Sequence, residues 1–133
     1  MIRLAAIASI ASLCGLATPS LATEWVNCAA PDGAATFDFL VGSSEFLSIA
    51  GLNISVGEQV WASSAAYGPG DPVVVGQAFE SDDKILIDAV DEGMAAKIAE
   101  LRLFKSTEAD SFVYGGTLRI PGHGVWAVSC SGQ

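Results

Sequence analysis

From residue 23 onward, apolar and polar positions alternate in short runs, and turn residues separate the runs. In residues 35–41, Phe37, Phe39 and Val41 fall on one face while Thr36, Asp38 and Leu40 fall on the other. A period of two is the signature of a strand with one buried face. Residues 23–29 follow the same rule, with Val26 and Cys28 opposite Trp25 and Asn27. Further strands are expected at 46–49, 52–56, 59–63, 73–80, 84–90, 112–120 and 124–130. Pro31-Asp32-Gly33, Gly57-Glu58, Asp91-Glu92-Gly93 and Pro121-Gly122-His123-Gly124 have the chemistry of turns, since proline presets φ and glycine accepts positive φ. The apolar run at 46–56 is expected to break at Ala50-Gly51. Gly115-Gly116 inside a strand suggests a bulge or a close backbone approach.

Two stretches depart from the alternation. In residues 94–105, Met94, Ile98 and Leu101 recur at helical spacing, and alanines favour a helix. Leu101 and Leu103 nonetheless alternate with Arg102, and both neighbours are β, so a strand over 96–104 is expected, with a short helix near 94–101 as the alternative. Residues 64–72 hold two prolines and two glycines in Tyr67-Gly68-Pro69-Gly70-Asp71-Pro72. That stretch excludes a helix or an interior strand and reads as a loop. Residues 106–111 read as a polar loop. Eight or nine short strands with frequent turns point to an all-β fold, a small antiparallel barrel or sandwich.

Residues 1–22 have a different pattern. Arg3 precedes an uncharged, mostly apolar run over 4–16, and Ser20 and Ala22 are small residues before a cleavage point. This is the layout of a secretory signal peptide cleaved after Ala22. The run is short for a transmembrane anchor, which needs about 20 apolar residues. Bulky Leu13 before Cys14 argues against a lipoprotein signal. Residues 23–133 then form a single domain, periplasmic or secreted, with no membrane association after cleavage. Cys14 leaves with the signal, so Cys28 and Cys130 remain in an oxidising compartment and are expected to form a disulfide between the ends of the domain. No Cys-x-x-Cys spacing supports a redox pair.

Composition narrows the partners. All 15 acidic residues and five of the six basic ones lie beyond residue 22, giving that part a net charge of −10. Such a surface repels phosphate backbones, which argues against nucleic acid, and attracts basic partners. No catalytic, cofactor or metal-binding motif is evident. His123 is the one histidine, flanked by glycines; alone it cannot build a multi-histidine zinc site, and Asp110 and Ser111, nearby in sequence, are the candidate partners considered for it. Asp82-Asp83 and Asp88…Asp91-Glu92-Gly93 lack EF-hand spacing and read as solvated turns. Asn53-Ile54-Ser55 matches the glycosylation pattern, which a polar strand face explains equally well.

Ser63-Ser64-Ala65-Ala66-Tyr67 resembles the Ser-Gly-x-x-Tyr loop of the C-type lysozyme inhibitor family. Those proteins are small secreted bacterial β-barrels with a disulfide, and their loop serine and tyrosine enter the lysozyme cleft. The layout is similar too: signal peptide, aromatic-x-x-Cys opening at Trp25–Cys28, an Asp-Gly turn before an alternating strand, and acidic charge. Ser64 stands where the family has glycine, no lysine-glycine pair follows Gly70, and the cysteines sit at the two ends. The resemblance implies that Ser63 and Tyr67 contact a basic partner such as lysozyme. The expectation is therefore a non-catalytic binding domain without a cofactor; the alternative is an enzyme whose carboxylate site is not recognisable from sequence.

Overall fold

The alternating runs form strands that all join one sheet. The computed structural model describes residues 23–132; the expected signal peptide, and Cys14 within it, lie outside the described residues. Among the described residues ten strands occur: β1 Glu24–Ala29, β2 Ala35–Val41, β3 Ile49–Val56, β4 Gln59–Ala62, β5 Asp71–Pro72, β6 Val74–Glu80, β7 Lys84–Val90, β8 Lys97–Glu108, β9 Ser111–Ile120 and β10 Gly124–Ser131. They follow the order β5-β4-β3-β2-β1-β10-β9-β8-β7-β6. The sheet curls into a nearly closed barrel. The inward rows of both halves interdigitate inside: Phe37, Phe39, Leu52 and Ile54 from one, Ile85, Ile87, Leu101, Leu103, Leu118 and Ile120 from the other, all buried. That filling leaves a packed core rather than a ligand cavity.

The first and last long strands are neighbours. Cys28 lies opposite Cys130 across the β1–β10 ladder, with sulfurs 2.04 Å apart and Cα atoms 4.1 Å apart. The pair crosslinks the two ends of the described chain at the centre of the sheet. The barrel's one seam falls elsewhere, between β5 and β6, which are the two ends of the ladder. The chain crosses it at Val73, which is buried and whose amide donates to the Ala62 carbonyl.

Three local expectations, at 50–51, 106–111 and 64–72, need correction, and two alternatives left open, at 94–104 and at Gly115-Gly116, are decided in favour of the strand and the close approach. β3 runs unbroken through Ala50-Gly51, because Gly51 serves as a bed for an aromatic ring rather than as a break. Residues 94–101 form no helix; β8 begins at Lys97, and the Asp91 carboxylate accepts from the Ala95 and Ala96 amides, holding the preceding turn. The polar loop expected over 106–111 is strand for most of its length. Ser106 pairs with Val113 and Thr107 with Phe112, leaving Ala109 (φ 51°) and Asp110 as the turn. These residues are polar because the hairpin outruns the core, not because it stops being β. Within 64–72, Ala65–Tyr67 makes one 3-10 turn and Asp71–Pro72 pairs parallel with β4. The Gly115-Gly116 pair is a close approach and not a bulge: its register is continuous on both sides, and a Cβ on Gly116 would strike the Arg102 carbonyl.

Candidate functional site

The loop singled out by sequence folds back onto the barrel wall. The Ser63 hydroxyl accepts from the Leu52 amide at 2.9 Å, and the Ser63 amide donates to the Leu52 carbonyl. Ser63 thus extends the β3–β4 pairing by side chain as well as backbone. Tyr67 is half-buried, flat against Gly51, where a Cβ would lie 2.8 Å from its Cε2 atom. Its ring meets Trp25 edge-on, with centroids 5.3 Å apart. Trp25, Leu40 and Gly51 stand in one cross-strand row on the outer face. The tyrosine closes over that row, a ring covering a strand glycine. Beside it, the Asn53 side-chain amide donates to the Tyr67 carbonyl at 2.8 Å. The one nitrogen that could carry a glycan therefore already holds the loop.

His123 packs edge-on against Trp61, with centroids 5.7 Å apart, at one end of the barrel. Asp110 and Ser111 stand at the other end, separated from it by the length of β9, roughly 30 Å at strand rise. These three groups do not converge. Asp83 accepts from the Ser81 hydroxyl within its own turn. Among the described residues, no group of three or more His, Cys, Asp or Glu side chains is placed to hold a metal ion.

The alternation instead builds a site that the motif search missed. At the end of the barrel holding Glu24, the inward rows continue past the core and turn polar. Leu101 and Leu103 are followed in phase by Lys105, and Leu118 is preceded in phase by Tyr114 and Phe112. Glu24 precedes Val26, and Glu80 follows Ala78. Lys105 and Tyr114 are cross-strand partners, and Lys105 Nζ reaches Glu80 Oε2 at 3.2 Å. Burial pushes the Tyr114 phenol up to about 12, and the Glu80 carboxylate adds to the shift, so Tyr114 stays a neutral donor.

Among the grooves that this tyrosine lines, two lie at the mouth. One, of about 270 Å³, runs from Val26 and Ile85 in the core out to Glu24, Glu45 and Phe46. The other, of about 530 Å³, is walled by Asp82, Lys105, Thr107 and Phe112. Phe46 is 83% exposed on the loop between β2 and β3, which the Gly42 amide closes on the Ser48 carbonyl.

The electrostatics are lopsided. Residues 23–83 contain nine carboxylates and no Lys, Arg or His. The basic residues of the described chain all lie on β7, β8 and β9, and most are occupied. On the outer wall, Arg102 meets Asp88 at 2.7 Å, Lys97 meets Glu100 at 2.8 Å and Arg119 meets Glu100 at 2.6 Å. Lys97 and Arg119 together hold the Glu100 carboxyl down at about 2. Lys84 lies over the Phe104 ring. Glu24 and Glu45 make no ion pair among the described residues. On β2, Asp38 has its carboxyl raised by burial, against the pull of Asn27 and the Cys28 backbone.

No protein-family model matches the chain, and no curated protein or solved structure matches it significantly. The likeness to the lysozyme-inhibitor loop therefore stands on Ser63, Tyr67 and the general layout alone.

The signals for the polar end were present in the sequence. They are polar residues that keep the inward phase of a strand beyond its last apolar position, as Lys105 does after Leu103. A search for spaced catalytic groups passes over such residues.

Proposed function

We propose that this protein is a binding domain rather than an enzyme, and that it recognises a basic protein through the Glu24 end of the barrel. The observation that carries the reading is the separation of charge: a half-barrel bearing only carboxylates, ending in a mouth where Glu24 and Glu45 flank the exposed Phe46. Unpaired carboxylates steer a cationic partner and raise its association rate. An exposed aromatic beside a groove that reaches Val26 and Ile85 supplies the anchor that charge alone lacks. A lysine or arginine entering the groove would lay its aliphatic stem on Phe46 and Tyr114 and its charge among the glutamates.

Lysozyme is the basic partner suggested by the Ser63–Tyr67 resemblance, and it makes the first test protein. The hydroxyl of Ser63 and the ring of Tyr67 are already engaged with β3, which favours the mouth over the loop as the contact. Titration calorimetry at low ionic strength should show lysozyme binding that weakens steeply between about 0.02 and 0.2 M salt. The variant combining Glu24→Gln, Glu45→Gln and Phe46→Ala should weaken it by about tenfold or more. All three positions are exposed, so the fold should survive. Absence of binding at low salt, or binding indifferent to both salt and this variant, would refute the proposal.

A further inference from the structure

The free edge of β6 is the second unusual feature of the wall. β6 pairs with β7 on one side and with no strand on the other, since it ends the ladder. β3 approaches it across the seam without joining it. The opposite end of the ladder is guarded: β5 covers β4, with Pro69 just before it and Pro72 within it. β6 has no such covering strand, but β3 stands close across the seam, and an added strand must part the two. Val73-Val74-Val75-Gly76-Gln77-Ala78-Phe79 contains no charge and no proline, two of the devices that blunt an edge, although a third, a bulge, is present. Its one irregularity is a register shift between Val75 and Gln77. Gly76, Gln77, Phe79 and Glu80 are exposed, Phe79 by 52%. A row of unpaired backbone donors and acceptors beside an exposed phenylalanine is a template for one more strand.

Charge selects the occupant. Both flanks of the seam belong to the cation-free part of the chain. Glu24 and Glu45, neither of them ion-paired among the described residues, line a groove at one end beside the Lys105-paired Glu80, and Glu92 joins Ala62, Pro69 and Pro72 around a hollow at the other. A second copy would bring the same carboxylates to the same edge and be repelled. An extended segment with alternating cations would meet opposite charge at both ends.

From the unpaired edge and the charge around it, we infer that an extended basic segment of the partner adds to β6 as an eleventh strand. The inference rests on the basic-partner reading above and specifies how that partner is held: main-chain pairing gives affinity, and carboxylates at both ends of the seam set register.

The test uses the disulfide-bonded protein and two synthetic peptides the length of β6. One alternates lysine and valine; the other has the same charge, with prolines replacing the central valines. Proline removes ladder donors without altering charge. The alternating peptide should bind about tenfold more tightly than the proline peptide. Amide exchange across Val74–Glu80, followed by NMR, should slow by a similar factor only with the first. Equal affinities, with resonance shifts confined to Glu24, Glu45 and Phe46, would overturn strand addition and leave the basic-partner reading standing. No binding of either peptide would overturn both. A peptide-free dimer protected at β6 would assign the edge to a second copy and also overturn the inference.

Discussion

The outer-face contact between Tyr67 and Gly51 yields the sharpest test of the fold, because two substitutions should compensate. Tyr67→Ala removes a half-buried ring that lies on Gly51 and meets Trp25 edge-on. A large aromatic buries 150–250 Å² when enclosed, so roughly 100 Å² is lost here, worth about 2.5 kcal/mol. At this domain size that lowers Tm by about 10 °C. Gly51→Ala by itself sets a Cβ 2.8 Å from the ring, so the tyrosine must lift, at a cost of about 1–2 kcal/mol. Once Tyr67 is alanine, the clash is gone and the strand gains about 0.5 kcal/mol from replacing glycine. The double variant should therefore be more stable than Tyr67→Ala alone. The coupling energy from a double-mutant cycle should be about 2 kcal/mol. Urea unfolding of all four proteins with the disulfide intact gives the cycle. If the two effects add within about 0.5 kcal/mol, the ring does not rest on the glycine and the loop is not held in this way.

Two further outcomes test the charge network and the crosslink. Glu100 titrates near 4.5 when unfolded and at about 2 in the fold, held down by Lys97 and Arg119. Its contribution is present above pH 4.5 and is lost as pH falls toward 2. Glu100→Gln should lower stability at pH 7 and flatten the acid limb of the stability–pH curve between those values; an unchanged limb would refute the assignment. Replacing both Cys28 and Cys130 by serine opens a link spanning 102 residues of sequence and should cost about 4 kcal/mol in urea unfolding. Thiol labelling of the unreduced protein should find no free cysteine at position 28 or 130.

Much of the barrel was legible because a half-buried strand writes its burial into every second residue. Phe37 and Phe39, Ile85 and Ile87, Leu101 and Leu103 are inward pairs that the alternation marks without any structure. The Cys28–Cys130 pairing was equally readable, since few cysteines were left to choose from. The errors came where one residue type serves two purposes. Gly51 looked like a break and is a bed for Tyr67. Ser106 and Thr107 looked like loop and are strand beyond the core. At Met94, Ile98 and Leu101 the competing helical spacing gave way to the strand expected over 96–104: only Leu101 joins the fully buried core, and Met94 is exposed in the turn before β8.

The sequence by itself determined the all-β class, the inward faces, most of the turns and the acidic balance, because each depends on neighbours close along the chain. Tertiary structure alone decided that the strands form one curled sheet with its seam at Val73. It also decided that Tyr67 folds back onto the outer wall, and that Glu24, Glu45, Phe46, Glu80 and Tyr114 gather at one end. Those outcomes depend on register and closure, which bring together residues up to 90 positions apart. No local pattern records which strand will lie beside which.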